Sequence, residues 1–332
     1  MQVWYDACTG KHVQYGTAIA ERLRQSGHEV TLTTRKHPDT LPLAEVLNER
    51  FIVVGRYNPE SLLTRLEEGV RRQLKFCKLF EKKAPEVAIS HGSVDQCRVA
   101  FGLGIPVIST IDAPHADAVN RLTLPLSNLV VVSRAIPTEV LQSYVSPDKI
   151  VSFEGVDEVA WIKGSKTRVH YNFGKPLIVV RQLEGKAVYA RRTIDLTILA
   201  RKLSRLGKVV FLSRYQRKRV ANLIVPRGFV DSASLVAQAD LFVGVGGTIT
   251  REAALQGTPA IIVDIFRNQY VNEFLASKGF PIFRVNPSEV MKVAEENLSR
   301  RRDVKHLLDK LDNPVGIIAN IVEKMADRKT AK

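Results

Sequence analysis

Short apolar runs alternate along this chain with stretches in which apolar residues recur every three or four positions. Val3-Trp4-Tyr5 opens as a strand, and Val13 to Gln25 places Ala18, Ile19 and Leu23 opposite Glu21, Arg22 and Arg24, the period of an amphipathic helix. Gly27 ends that helix, and Glu29 to Thr33 resumes as a strand. The alternation continues with strands at Arg50–Val54, Glu86–Ser90, Pro106–Thr110 and Leu129–Ser133, and helices at Glu60–Lys83 and Asp95–Gly102. A second series of strands is expected at Leu177–Arg181, Lys208–Ser213, Leu223–Val225, Leu241–Val243 and Ala260–Val263. Strands separated by helices imply right-handed crossovers and parallel sheets. The fold class is therefore α/β, with two tandem Rossmann-like, doubly wound domains. The glycine-bearing stretch Glu154 to Lys175 is the expected linker, dividing 1–153 from 154–332. Ligands of such sheets bind outside the carboxyl ends of the strands, here in a cleft between the domains.

The 332 residues suffice for two cores, with hydrophobic residues at 45% and charged residues at 25%, a globular composition. No apolar run approaches the roughly 18 residues of a membrane helix. The first residues lack the pattern of a signal peptide, and three cysteines without a Cys-x-x-Cys pair build neither a disulfide framework nor a thiolate zinc site. A cytoplasmic location is expected. The net charge of +15 is uneven: the chain through Ile150 holds 18 basic and 16 acidic residues, and the remainder 31 and 18. A positive second half suits an anionic partner.

The densest chemical signal is Gly244-Val245-Gly246-Gly247-Thr248, which follows an apolar strand and opens a helix carrying Glu252, with Gly257 and Pro259 beyond. Glycines there let backbone approach a bound group, and the helix start presents N–H groups and a positive dipole end to an anion such as a diphosphate. Glu252 is placed to accept hydrogen bonds from ribose hydroxyls. The same residues also read as a tight strand-to-helix turn.

Gly246-Gly247 through Pro259, followed by Asn268-Gln269-Tyr270-Val271-Asn272, resembles the donor domain of GT-B glycosyltransferases, most closely the MurG type, which transfers N-acetylglucosamine from its uridine diphosphate ester. Gly10-Lys11-His12-Val13, Gly27-His28-Glu29-Val30, Gly102 to Ile108, Asn120-Arg121-Leu122 and Phe229-Val230-Asp231 extend the resemblance. The whole chain also resembles an archaeal family filed as a domain of unknown function in the same superfamily. The resemblance implies GT-B architecture and a nucleotide sugar substrate. It assigns Gly246, Gly247 and Thr248 to the diphosphate, Glu252 to the ribose, and Asn268, Gln269 and Asn272 to sugar hydroxyls. His12 would be a base or would position the acceptor. Gly10-Lys11 stands where the family has a glycine pair, and Thr110-Ile111-Asp112-Ala113 where the MurG type has His-Glu-Gln-Asn.

Glycosyl transfer by displacement needs a base near the acceptor and stabilisation of the departing diphosphate. His12, Asp6, Asp112, His115 and His91 all follow first-domain strands and are the candidate bases, with Arg181 as a cationic helper or a plain surface arginine. No Asp-x-Asp pair and no His-x-x-x-His spacing occurs, so neither metal nor cofactor is expected. Non-hydrolysing sugar-nucleotide 2-epimerases share the glycine-to-glutamate motif and are the alternative, followed by a relative without catalysis. Helix Glu60–Lys83, with leucines along one face and basic residues elsewhere, either covers a sheet or lies on an anionic membrane beside a lipid-linked acceptor. The basic runs Arg214–Arg219 and Arg300–Arg302 come without a nucleic-acid-binding signature, and a solvated basic surface is expected there.

Overall fold

The computed structural model describes residues 1–182, 195–213 and 220–330; the basic run Arg214–Arg219 lies outside them. The first-half elements are β1 (Gln2–Ala7), α1 (Gly10–Gln25), β2 (Glu29–Lys36), α2 (Thr40–Val46), β3 (Ile52–Arg56), α3 (Leu62–Leu79), β4 (Val87–Ser90), α4 (Val94–Gly102), β5 (Val107–Ile111), α5 (Asp117–Thr123), β6 (Leu129–Ser133), β7 (Ile150–Phe153) and α6 (Val159–Ile162). Their strands form a parallel sheet in the order β3-β2-β1-β4-β5-β6-β7. The chain builds outward from β1 to β3 and then restarts at β4 on the other side of β1. The switch point lies between β1 and β4, where the loops leaving the two strands diverge. β4 and β5 are buried along their whole length, as strands covered on both faces must be.

α1 begins before the apolar periodicity does, because the Thr9 hydroxyl caps it by accepting from His12 N–H. Lys11 and His12 therefore stand in its first turn, not in a loop. The expected helix Glu60–Lys83 is trimmed to α3 by a capping box between Ser61 and Thr64. Its leucine face does not cover the sheet. Leu62, Leu63, Leu66, Val70 and Leu74 are 48% to 80% exposed, while Glu68, Arg72 and Phe76 turn inward.

The second series is β8 (Leu177–Arg181), α7 (Thr197–Leu203), β9 (Lys208–Leu212), α8 (Ser232–Gln238), β10 (Leu241–Gly244), α9 (Thr248–Leu255), β11 (Ala260–Val263), α10 (Tyr270–Ser277), β12 (Ile282–Val285), α11 (Val290–Asn297) and α12 (Lys305–Leu308). The parallel order is β12-β11-β10-β8-β9, with its switch point between β8 and β10. Ile178, Val180, Phe211, Leu241, Val243, Ile261 and Val263 centre the core. The strand expected at Leu223–Val225 contracts to one bridge between Ile224 and Val210. Of the arginine run Arg300–Arg302, Arg301 donates to the carbonyls of Ala237, Ala239 and Gln256, close to the C-terminal ends of α8 and α9.

The chain then returns. Compact units comprise Met1–Trp161 with Asp312–Lys332, and Ile162–Leu311, so the terminal helix α13 (Pro314–Thr330) belongs with the first sheet and not with an unbroken 154–332 domain. The return is tied by Asp312 N–H to Glu154 O at 2.9 Å and by Glu154 N–H to Asp312 Oδ2 at 2.8 Å. α13 packs on α1, burying Ile318, Ala319 and Val322, with Arg22 and Ser26 both reaching Glu323.

Candidate active site

Residues far apart in sequence meet at the carboxyl ends of the first unit's strands. Lys11 from α1, His91 after β4, Asp112 after β5, and Asp157 and Glu158 after β7 form one cluster. Lys11 Nζ lies 2.5 Å from Asp112 Oδ2, 2.8 Å from Asp157 Oδ2 and 3.7 Å from Glu158 Oε1. His91 Nε2 faces Asp112 Oδ1 at 3.4 Å and Asp157 Oδ2 at 3.9 Å, and its Nδ1 is 2.6 Å from Thr110 Oγ1. A carboxylate opposite Nε2 favours a proton there, so that Nδ1 accepts from the Thr110 hydroxyl. Burial pushes the Asp157 carboxyl up, opposed chiefly by the Lys11 charge. Asp112 is the cluster's most exposed carboxylate, with 19% of its side chain accessible.

His12 meets the ring of His91 edge-on, with centroids 4.8 Å apart. Its Nδ1 accepts the Cys8 N–H at 3.3 Å, which leaves the ring proton of the neutral form on Nε2. Burial, then the charges of His91 and Lys11, hold it well below the ordinary histidine range. As placed, His12 is a neutral donor and not a base. The hydroxyls of Tyr5 and Tyr15 are buried here without a hydrogen-bond partner among the described residues, and burial followed by the Asp157 charge raises both. His91, Asp112 and Asp157 offer ligand atoms within 4.8 Å of one another, the spacing of a cation's ligand set, and the cation found among them is the Lys11 ammonium.

Asp6 lies elsewhere. It is fully buried, its Oδ1 accepting from Thr33 at 2.7 Å and Arg72 at 2.5 Å and its Oδ2 from Ser93 at 2.5 Å. Burial alone would raise it, but the Arg72 charge and these hydrogen bonds hold it below the ordinary carboxylate range. A carboxylate so fully engaged ties β1 to β2, α3 and the α4 cap, and is not an available base. His115 is exposed before α5. Sequence reasoning passed over Lys11, Thr110 and Asp157. Lys11 carried a signal, as the residue replacing a family glycine.

In the second unit, Val245-Gly246-Gly247 links β10 to α9 at the switch point. Gly246 and Gly247 have φ of 100° and 96°, a region that glycine enters without strain. A Cβ on Gly246 would collide with the Gln269 side chain. The first helical bond of α9 runs from Arg251 N–H to Gly247 O, so the preceding N–H groups at Thr248, Ile249 and Thr250 have no acceptor within the helix. Arg181 ends the neighbouring strand, β8, beside Gly244. Glu252 is buried and its Oε2 accepts from Ser232 Oγ at 2.7 Å. Gln269 donates to Val245 O at 3.0 Å and accepts from Asn272 at 2.7 Å. Both side chains are buried, with Gln269 holding the glycine turn and Asn272 Oδ1 without a hydrogen-bond partner among the described residues; Asn268 is exposed.

Among solved structures, the UDP-GlcNAc 2-epimerase of Methanocaldococcus jannaschii, in complex with UDP-GlcNAc and UDP, is similar over 99% of this chain and 100% of that one, with TM-score 0.70 and 15% identity. The spinosyn forosaminyltransferase SpnP is similar over 98% and 99%, with TM-score 0.61 and 15% identity. The likeness shows one shared fold, the GT-B architecture of paired parallel sheets. A second Methanocaldococcus jannaschii protein, described as "Uncharacterized protein MJ0665", is 30% identical over 94% of this chain and 96% of its own length. With the family described as "Protein of unknown function (DUF354)" matching residues 1–327 as well, this chain is a member of that family.

Proposed function

We propose that the protein is an enzyme acting on a nucleoside diphosphate sugar, uridine diphosphate by preference, and that it transfers the sugar to an acceptor hydroxyl. The observation that carries this reading is the paired-glycine turn into α9, whose first N–H groups have no acceptor within the helix and whose positive dipole end suits a diphosphate. Glu252 would take the ribose, and Arg181 at the neighbouring strand end would add positive charge. In the first unit Asp112 is the base: it is accessible, and Lys11 and His91 fix its orientation. The acceptor oxygen bonds to the anomeric carbon, the bond from that carbon to the diphosphate oxygen breaks, the hydroxyl proton passes to a carboxylate base, and the negative charge leaves on the diphosphate. His12 donates from Nε2 to orient a substrate oxygen. The structural neighbours named for UDP-sugar and sugar-transfer enzymes support the substrate class.

A second reading, epimerisation by elimination and re-addition of the nucleotide, is favoured by the grouping of His91, Asp112 and Asp157, since that reaction needs more than one proton-transfer group. Calorimetric titration with UDP, GDP, dTDP and ADP tests the substrate class. One diphosphate should be preferred, and Glu252→Ala should weaken it about tenfold or more. Failure of all four to bind overturns the proposal. UDP-GlcNAc incubated in D₂O without acceptor separates the reactions: deuterium at C2 marks the epimerase, and its absence with turnover only on acceptor addition marks the transferase.

A further inference from the structure

α3 is a helix whose apolar and polar sides are exchanged. The inward side is held by Arg72, which donates to Val54 O at 2.8 Å and pairs with Asp6 and Asp95, and by Phe76, which meets Trp4 edge-on. The outward side carries Leu62, Leu66, Val70 and Leu74, four residues apart and so one row on a helix surface, with Leu63 beside them. Ile52 and Val53 of the adjoining edge strand β3 are exposed too. Continuing the row by four places Lys78, and the next row over holds Arg71 and Lys75, all three exposed; Lys82 and Lys83 follow the helix end. Glu67 and Glu81 are exposed acids among them, and the rim remains net positive.

We propose that this face of α3 docks on an anionic lipid surface, with the leucine row in the headgroup and acyl boundary and the basic rim on lipid phosphates. The inference stands apart from the proposed reaction. Five exposed apolar side chains on one side of a helix match the interfacial pattern, in which apolar burial and attraction to anionic lipid add together. A second copy of the chain fits less well, because a two-fold pairing of these faces would bring net positive rims together. The docking is peripheral: among the described residues no helix is long and apolar enough to cross a membrane.

Flotation of the full chain with phosphatidylcholine vesicles, with and without about one third phosphatidylglycerol, tests it. Binding is expected to the anionic vesicles, to fall steeply at about 0.5 M salt, and to drop about tenfold in Leu66→Ser/Val70→Ser and in Lys75→Glu/Lys78→Glu. All four side chains are exposed, so both variants should melt as the parent does. If the first melts early, Leu62→Ser/Leu63→Ser in the first turn of α3 replaces it. Absence of binding to anionic vesicles, or binding that neither pair of substitutions weakens, overturns the proposal. So does a dimer in sedimentation equilibrium that Leu66→Ser/Val70→Ser dissociates while vesicles stay unbound.

Discussion

His12 shows how one residue's role follows from its neighbours. A histidine shortly after the first strand reads as a base or as a group that positions an acceptor, but Cys8 N–H occupies Nδ1 and burial keeps the ring neutral. That burial makes His12 a source of acid sensitivity. In the unfolded chain it takes a proton near its ordinary value of 6.5, whereas in the folded chain its pKa lies well below. The native state thus binds fewer protons in that interval. The stability His12 contributes is complete above about pH 6.5 and is lost as pH falls toward the folded value. Thermal melts of the parent and His12→Asn between pH 7 and pH 5 should show a shallower decline for the variant. Identical slopes would mean that His12 is protonated equally in both states.

At the scale of elements, α3 is fixed by charge more than by its leucines. Asp6 and Arg72 are both buried at 2.5 Å, so removing Arg72 leaves the Asp6 charge uncompensated in the core, and removing Asp6 leaves Arg72 with Asp95 as its one remaining carboxylate among the described residues. Arg72→Met should cost about 3–5 kcal/mol by denaturant titration, and Asp6→Leu a similar amount. The double variant should lose clearly less than the two together, with a coupling of about 2 kcal/mol. Additive losses would refute the tether. This pair also explains why the sequence leaves the leucine face open between covering a sheet and facing outward. Periodicity finds an apolar stripe without saying which way it turns, because Arg72 belongs to a partner 66 positions away, which periodicity does not register. The same limit hid Lys11 with Asp157, separated by 146 positions. Strand runs and the turn at Gly246-Gly247 were legible because their causes are local: apolar residues for strands buried on both faces, and a backbone conformation that glycine reaches freely.

For the whole molecule, the consequential feature is the return of the chain at Asp312. An amphipathic C-terminal helix looks alike whichever sheet it covers, so the sequence places 154–332 in one domain. Its partner is instead chosen by α1 and by the close passage at Gly155, where any Cβ would collide with Asp312 O. α13 buries Val315, Ile318, Ala319 and Val322. At about 1.5–3 kcal/mol for each larger apolar side chain, their loss rivals the 5–15 kcal/mol that stabilises an ordinary domain. Residues 1–161 alone should therefore melt without a cooperative transition, or far below the intact chain, in circular dichroism. Joining 312–330 to that segment through a short Gly/Ser linker should restore a cooperative melt, because residue 312 already sits against residues 154 and 155. Residues 162–311, which close their own five-stranded sheet, should melt cooperatively without help. If 1–161 alone melted with the linked form's midpoint, α13 would be only an attachment to the first unit and the boundary near residue 153 would serve as well.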